Sequence, residues 1–113
     1  MLAAALVIAS LVIRVEEDHH GYRGLHEQFY QSWTLPNYRS VSCCNKMDCA
    51  PAWAKWENGH LYMKRSFDTN WTEVKTSILE SNQPDPRESP DGQSHVCINS
   101  SGQAICAVLG SGL

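Results

Sequence analysis

Three of the chain's five cysteines fall within seven residues, in Val41-Ser-Cys-Cys-Asn-Lys-Met-Asp-Cys-Ala-Pro51. Thiols at that density hold a metal, carry out redox chemistry or staple a fold. A structural zinc site is built on a repeated Cys-x-x-Cys spacing, whereas Cys43 and Cys44 are adjacent and four residues separate Cys44 from Cys49. With Cys97, Cys106 and His95 there are still donors enough for one ion, so metal binding stays as the weaker alternative. No Cys-x-x-Cys redox motif is present.

Disulfides fit best. Two bonds among five cysteines can be drawn in fifteen ways; three use the strained adjacent pair Cys43–Cys44, twelve stay open, and each leaves one thiol over. A bond from the 43–49 block to Cys97 or Cys106 would close a loop of about 50 residues, for about 4 kcal/mol in the chain-entropy account, and is preferred. The competing pattern, Cys44–Cys49 with Cys97–Cys106, closes only local loops.

The length of 113 residues is one domain with a small core, the size at which cross-links commonly offset chain entropy. A net charge of −3, with Lys64-Arg65 the one adjacent basic pair, provides no field for a phosphate backbone, so nucleic acid is not an expected partner.

Residues 1–15 form a signal-like or anchoring segment. The run Met1 to Ile13 is apolar and breaks at Arg14 and Glu16-Glu17-Asp18. It resembles the apolar region of a secretory signal, yet no Lys or Arg precedes it and Val7-Ile-Ala9 is the nearest small-residue cleavage site. As a helix it reaches about 20 Å, short of the roughly 30 Å hydrocarbon core. Two expectations follow: export with removal of the segment, or retention with membrane contact through residues 2–13.

Residues 16–36 read as a helix, weakened by Gly21 and Gly24, with an acidic start suited to the helix dipole and a stop before Pro36. His19, Tyr22, His26, Phe29 and Trp33 line one face of it. Residues 37–113 read as a Cys-stapled β domain. Asn58-Gly59 between alternating residues is a hairpin signature that places Ala54, Trp56, Leu61 and Met63 on a core face and Trp53, Lys55, Tyr62 and Lys64 on a half-exposed one. A short strand is expected near Trp71 to Val74, a helical turn within 75–81, and loop over 82–92, which holds three of the five prolines. A second hairpin turning at Ser101-Gly102 sets Ile98 against Ile105 and Cys97 against Cys106. The fold class is thus α+β, mostly β: an apolar segment and a helix, then a small disulfide-stapled antiparallel sheet of two or more hairpins.

The Ser42-Cys-Cys-Asn-x-x-Asp-Cys-x-Pro51 block, a Trp-containing hairpin and the Pro90-Asp-Gly-x-x-His-x-Cys97 block together resemble small exported proteins of unknown function from alphaproteobacteria, especially rhizobia. The resemblance covers roughly residues 19–109 and implies a bacterial envelope or secreted location, with no catalytic or ligand residues to carry over. The tail Val-Leu-Gly-Ser-Gly-Leu113 departs from the aromatic, proline-rich end of that group. In a bacterial setting the sequons at Asn70 and Asn99 are chance matches.

The remaining chemistry is sparse. No His-Glu-x-x-His or His-x-His pattern exists, and His19 and His26 would sit about 10 Å apart along a helix, too far to share an ion. His19, His20, His26 and His95 are therefore only weak metal candidates for zinc or copper. No Gly-x-Ser-x-Gly occurs, and paired carboxylates need a cleft that a core this small rarely provides. No catalytic residue and no cofactor is expected. Tyr22, His26, Phe29, Trp33, Trp53 and Tyr62 have no assured place in so small a core and are candidates for a partner surface, against the alternative that the helix lays its aromatic face on the hairpins. The expectation is an exported, non-catalytic binding or accessory protein with a protein partner in the envelope, in the periplasm or on the outer face of the inner membrane. Its rival is a structural subunit held in a membrane complex by residues 2–13.

Overall fold

The computed structural model describes residues 24, 28–44 and 48–111. It is mostly β, as the period-two patterning requires. Strands β1 (Thr34–Leu35) and β2 (Tyr38–Ser42) form a small antiparallel pair; β3 (Cys49–Glu57), β4 (His60–Arg65), β5 (Thr72–Val74), β6 (Ser94–Ile98) and β7 (Ala104–Val108) form an antiparallel sheet in the order β5-β4-β3-β6-β7.

β3 is the spine of the sheet, and its two ends have different neighbours. Cys49 to Ala52 pair with β6, Ala52 to Glu57 pair with β4, and only Ala52 lies between both. The β3–β4 turn is the expected one: Asn58 and Gly59 both have positive φ, 54° and 80°, the two-residue geometry whose twist matches the flanking strands. Its register sets Trp53 opposite Lys64 and Trp56 opposite Leu61. Pro51, which has no N–H to give, sits one residue before the β4 pairing begins, so its missing donor breaks no bond of the ladder.

The C-terminal hairpin departs from its expected register by one residue. Cys97 does face Cys106, but Ile98 pairs with Ala104 rather than Ile105, because a bulge absorbs one residue. Asn99 causes the shift: its carbonyl accepts from Gly102 N–H, and its side chain accepts from the Ser101 and Gln103 amides. The turn therefore spans Asn99 to Gly102, with Gly102 at φ 82°.

The helix expected over 16–36 differs at its end. Gly24 and Gln28 are helical and Tyr30–Ser32 make a 3-10 turn, but Trp33 is extended and Thr34–Leu35 are strand. Pro36 pushes Leu35 into extended backbone, and the Trp33 carbonyl accepts from Cys43 N–H at 2.8 Å, turning the chain back on itself two residues earlier than expected. The expected turn within 75–81 is a pair of 3-10 turns, Thr76–Ile78 and Glu80–Asn82.

Alternation sorts the core into two layers. One face of the sheet carries Cys49, Cys97, Cys106 and Val108, covered by Phe29, Tyr30, Trp33 and Cys43. The other carries Leu61, Met63, Val74, Val96, Ile98 and Ala107, covered by Leu79. The 76–82 segment runs along the outer edge of β7 through a bridge between Leu79 and Ala107. Successive residues there face opposite ways: Leu79 joins the second layer while Glu80 reaches Trp33 in the first.

Candidate binding face

Beyond Ala52, β3 and β4 extend past the layer formed by Phe29, Tyr30 and Trp33, and one face of their hairpin is left open. Period-two alternation puts Trp53, Lys55 and Glu57 of β3, Tyr62 and Lys64 of β4, and Glu73 of β5 on that face. Trp71, just before β5, completes it. Lys55 Nζ stands 4.5 Å from the Trp71 ring centroid and 5.9 Å from that of Tyr62, and Lys64 Nζ lies 5.8 Å from the Trp53 ring. Each such contact at an exposed site contributes about 0.5–1 kcal/mol and holds ring and ammonium in place. Lys55 also pairs with Glu57 at 3.3 Å, and His60 with Glu73 at 2.7 Å, so the face is aromatic at its centre and charged at its rim.

A second constellation lies inside. His95 is fully buried, and its Nε2 lies 2.7 Å from Asp91 Oδ1 while its Nδ1 lies 2.7 Å from the Tyr30 hydroxyl. An ionised carboxylate only accepts, so Nε2 carries a proton and donates to Asp91, while Nδ1 shares a bond with the Tyr30 hydroxyl. Burial pushes the Asp91 carboxyl up, but the bond from His95, the Gln93 amide, the His95 charge and the Ser89 hydroxyl outweigh it and hold the group below its ordinary range. Carboxylate, imidazole and hydroxyl in a row invite a catalytic reading. Tyr30, however, is buried against Phe29 and Trp33, so its oxygen is closed to a substrate and the row acts as a bolt between the first layer and the 91–95 segment.

Glu80 is a second buried anchor. Its carboxylate accepts from Trp33 Nε1 at 3.0 Å, from both terminal nitrogens of Arg39 at 3.3 Å and from the Arg87 amide at 2.9 Å. The Arg87 guanidinium in turn covers the Phe29 ring at 4.6 Å and donates to the Ser32 carbonyl. The loop over 82–92 offers almost nothing apolar to bury, yet these bonds moor it.

Both disulfides run from the 43–49 block to the C-terminal hairpin: Cys43–Cys106, 63 residues apart, and Cys49–Cys97, 48 apart. The preferred long-loop pairing is thus realised twice, and the local pattern is not formed. The sulfurs of Cys43, Cys97 and Cys106 lie within 4.8 Å of one another, a spacing that would suit metal ligands, but they are spent in these two bonds. Cys44 takes part in neither; burial raises its thiol pKa, with the Asp48 charge adding to that and the Cys49 and Asp48 amides working against it.

The six surface candidates separate. Trp53 is 59% exposed and Tyr62 half-buried, both on the open face. Phe29 and Trp33 are corrected: at 1% and 0% exposure they are core, because the segment lays its rings over the disulfides instead of presenting them. Tyr22 and His26 lie outside the described residues, as do His19, His20 and the run 1–15. His95 is corrected as a metal candidate, since both ring nitrogens are already committed. Trp56 is corrected as core: it is 55% exposed although its partner Leu61 is buried, because β5 flanks Leu61 and, among the described residues, no strand flanks Trp56 on its other side. Trp71, Glu80, Arg39 and Tyr30 were missed. Only Trp71 carried a signal, since continuing the β4–β5 register past Thr72 sets it beside Lys64.

Among the described residues no helix is long and apolar enough to cross a membrane. No protein-family model, curated protein or solved structure matches the chain.

Proposed function

We propose that this chain is an exported, non-catalytic binding or accessory protein whose partner-binding face is the Trp53, Lys55, Tyr62, Lys64 and Trp71 surface. One observation carries the reading. A core small enough to need two disulfides buries Phe29, Tyr30 and Trp33 completely, yet Trp53 stays 59% and Trp71 39% exposed, braced by lysines. Exposed aromatics beside a charged rim are the composition of protein-binding surfaces. Two disulfides suit an oxidising compartment, and the resemblance to exported alphaproteobacterial proteins points to the envelope.

The test is a cross-linked pull-down from native envelopes with intact-mass measurement, comparing the wild type with Trp53→Ser/Trp71→Ser. The expected result is a protein partner lost in the variant while both disulfides and the far-UV circular dichroism persist. A partner held equally by the variant, or a native protein carrying five reduced thiols, sinks the reading. The same mass decides between a processed chain and the rival membrane-complex subunit, which keeps residues 2–13.

A further inference from the structure

The staggered pairing of β3 leaves one of its edges open. The two-residue turn fixes which backbone groups face which way: Glu57 and His60, Lys55 and Tyr62, Trp53 and Lys64 exchange bonds across the β3–β4 ladder. The N–H and C=O groups of Ala54 and Trp56 therefore point away from β4, toward the side where β6 has already ended at Ser94. Among the described residues no backbone or side-chain group pairs with them. An unpaired stretch of extended edge is a template for another strand.

We propose that this edge pairs with the same edge of a second copy, antiparallel about a two-fold axis at Trp56. The two five-stranded sheets then join into one of ten strands. Charge selects the register. With Trp56 opposite Trp56, Lys55 falls opposite Glu57 of the second copy and Glu57 opposite its Lys55, so two cross-strand pairs of opposite sign form. The neighbouring allowed register puts Lys55 against Lys55, two like charges directly opposed. On the reverse side the two exposed Trp56 rings come together, covering the one large side chain of that face that β5 leaves bare. The axis stands perpendicular to the sheet, so the Trp53 and Tyr62 faces of both copies lie on the same side and the pair presents them twice.

Sedimentation equilibrium of the oxidised full chain at low ionic strength tests this. A monomer–dimer equilibrium is expected. Lys55→Glu alone and Glu57→Lys alone each set like charges at both contacts and weaken the dimer about tenfold. An equimolar mixture of these two variants restores opposite charges at both contacts and with them wild-type affinity; in the register that opposes Lys55 with Lys55, Lys55→Glu alone would only exchange one like-charged pair for another and would not weaken the dimer. Ala54→Pro removes an outward N–H without touching the β3–β4 ladder; it should block the dimer while leaving the circular dichroism unchanged. A monomer at every concentration, a dimer indifferent to these variants, a mixture that stays monomeric, or cross-linking of this edge to a different protein in place of a second copy overturns the proposal.

Discussion

Cys97 faces Cys106 directly across the β6–β7 ladder, and the two are not bonded to each other. Cys97 belongs to a pair of the opposite kind with Cys49, where Cα atoms approach to 3.9 Å and the backbone bonds point outward. The narrower approach on the β3 side brings those two side chains together, and Cys106 is left to reach Cys43 in the layer above.

Peptide mapping of the non-reduced protein should return Cys43–Cys106 and Cys49–Cys97 and no Cys97–Cys106 product. Replacing either bonded pair by alanine should cost about 3 kcal/mol, read as a lower urea midpoint, because the bonds are nested and, with the other intact, each closes a loop of only about 15 residues, the difference between separations of 63 and 48. The two double variants should be nearly equal, because both open that same small loop.

Glu80→Ala should destabilise the fold by about 3–5 kcal/mol in chemical denaturation, since it strands the Trp33 indole N–H, the Arg87 amide and one face of Arg39. Trp33→Phe keeps the ring in the core and removes one donor, for about 1–2 kcal/mol.

Leu61 and Trp56 are opposite each other, yet their truncations should differ. Leu61→Ala opens a cavity between β4 and β5 and should cost about 2–5 kcal/mol. Trp56→Ala removes a larger but exposed ring and should cost under about 1 kcal/mol.

Acid should unfold the protein through Asp91 and Asp68. For Asp68, burial raises the carboxyl, and the Arg65 side-chain and backbone donors with the charges of Arg65 and Lys64 more than reverse it. Both groups thus titrate lower when folded than when unfolded. Their contribution is present above the unfolded carboxyl value near pH 4 and is lost as pH falls through the lower folded values. Asp91→Asn should lower stability at neutral pH and make the acid limb of the pH–stability curve shallower; an unchanged limb would show that Asp91 does not drive it.

What the sequence disclosed follows from how local each signal is. Asn58-Gly59 announces the central hairpin because both turn positions need positive φ, and its register came out residue for residue. Which face of that hairpin is covered is a different matter. Trp56 and Leu61 share a face, but coverage depends on where β5 and β6 stop, which no pattern within 52–64 encodes. The candidate face was half legible: Trp53 and Tyr62 came from alternation, whereas Trp71 required the length of the 66–71 connection. Glu80 was silent, as its partners Trp33, Arg39 and Arg87 come from three separate segments.

Under the proposed export, the cross-link pattern also dictates an order of events as the chain is threaded out from its N-terminal side. Cys43, Cys44 and Cys49 emerge together, and the partners of Cys43 and Cys49 follow 63 and 48 residues behind. During that interval the nearest oxidisable neighbour of each thiol is a wrong one, and a premature Cys44–Cys49 bond would have to be reshuffled before the sheet could close. Maturation of this small domain is therefore expected to depend on a disulfide isomerase as well as an oxidant.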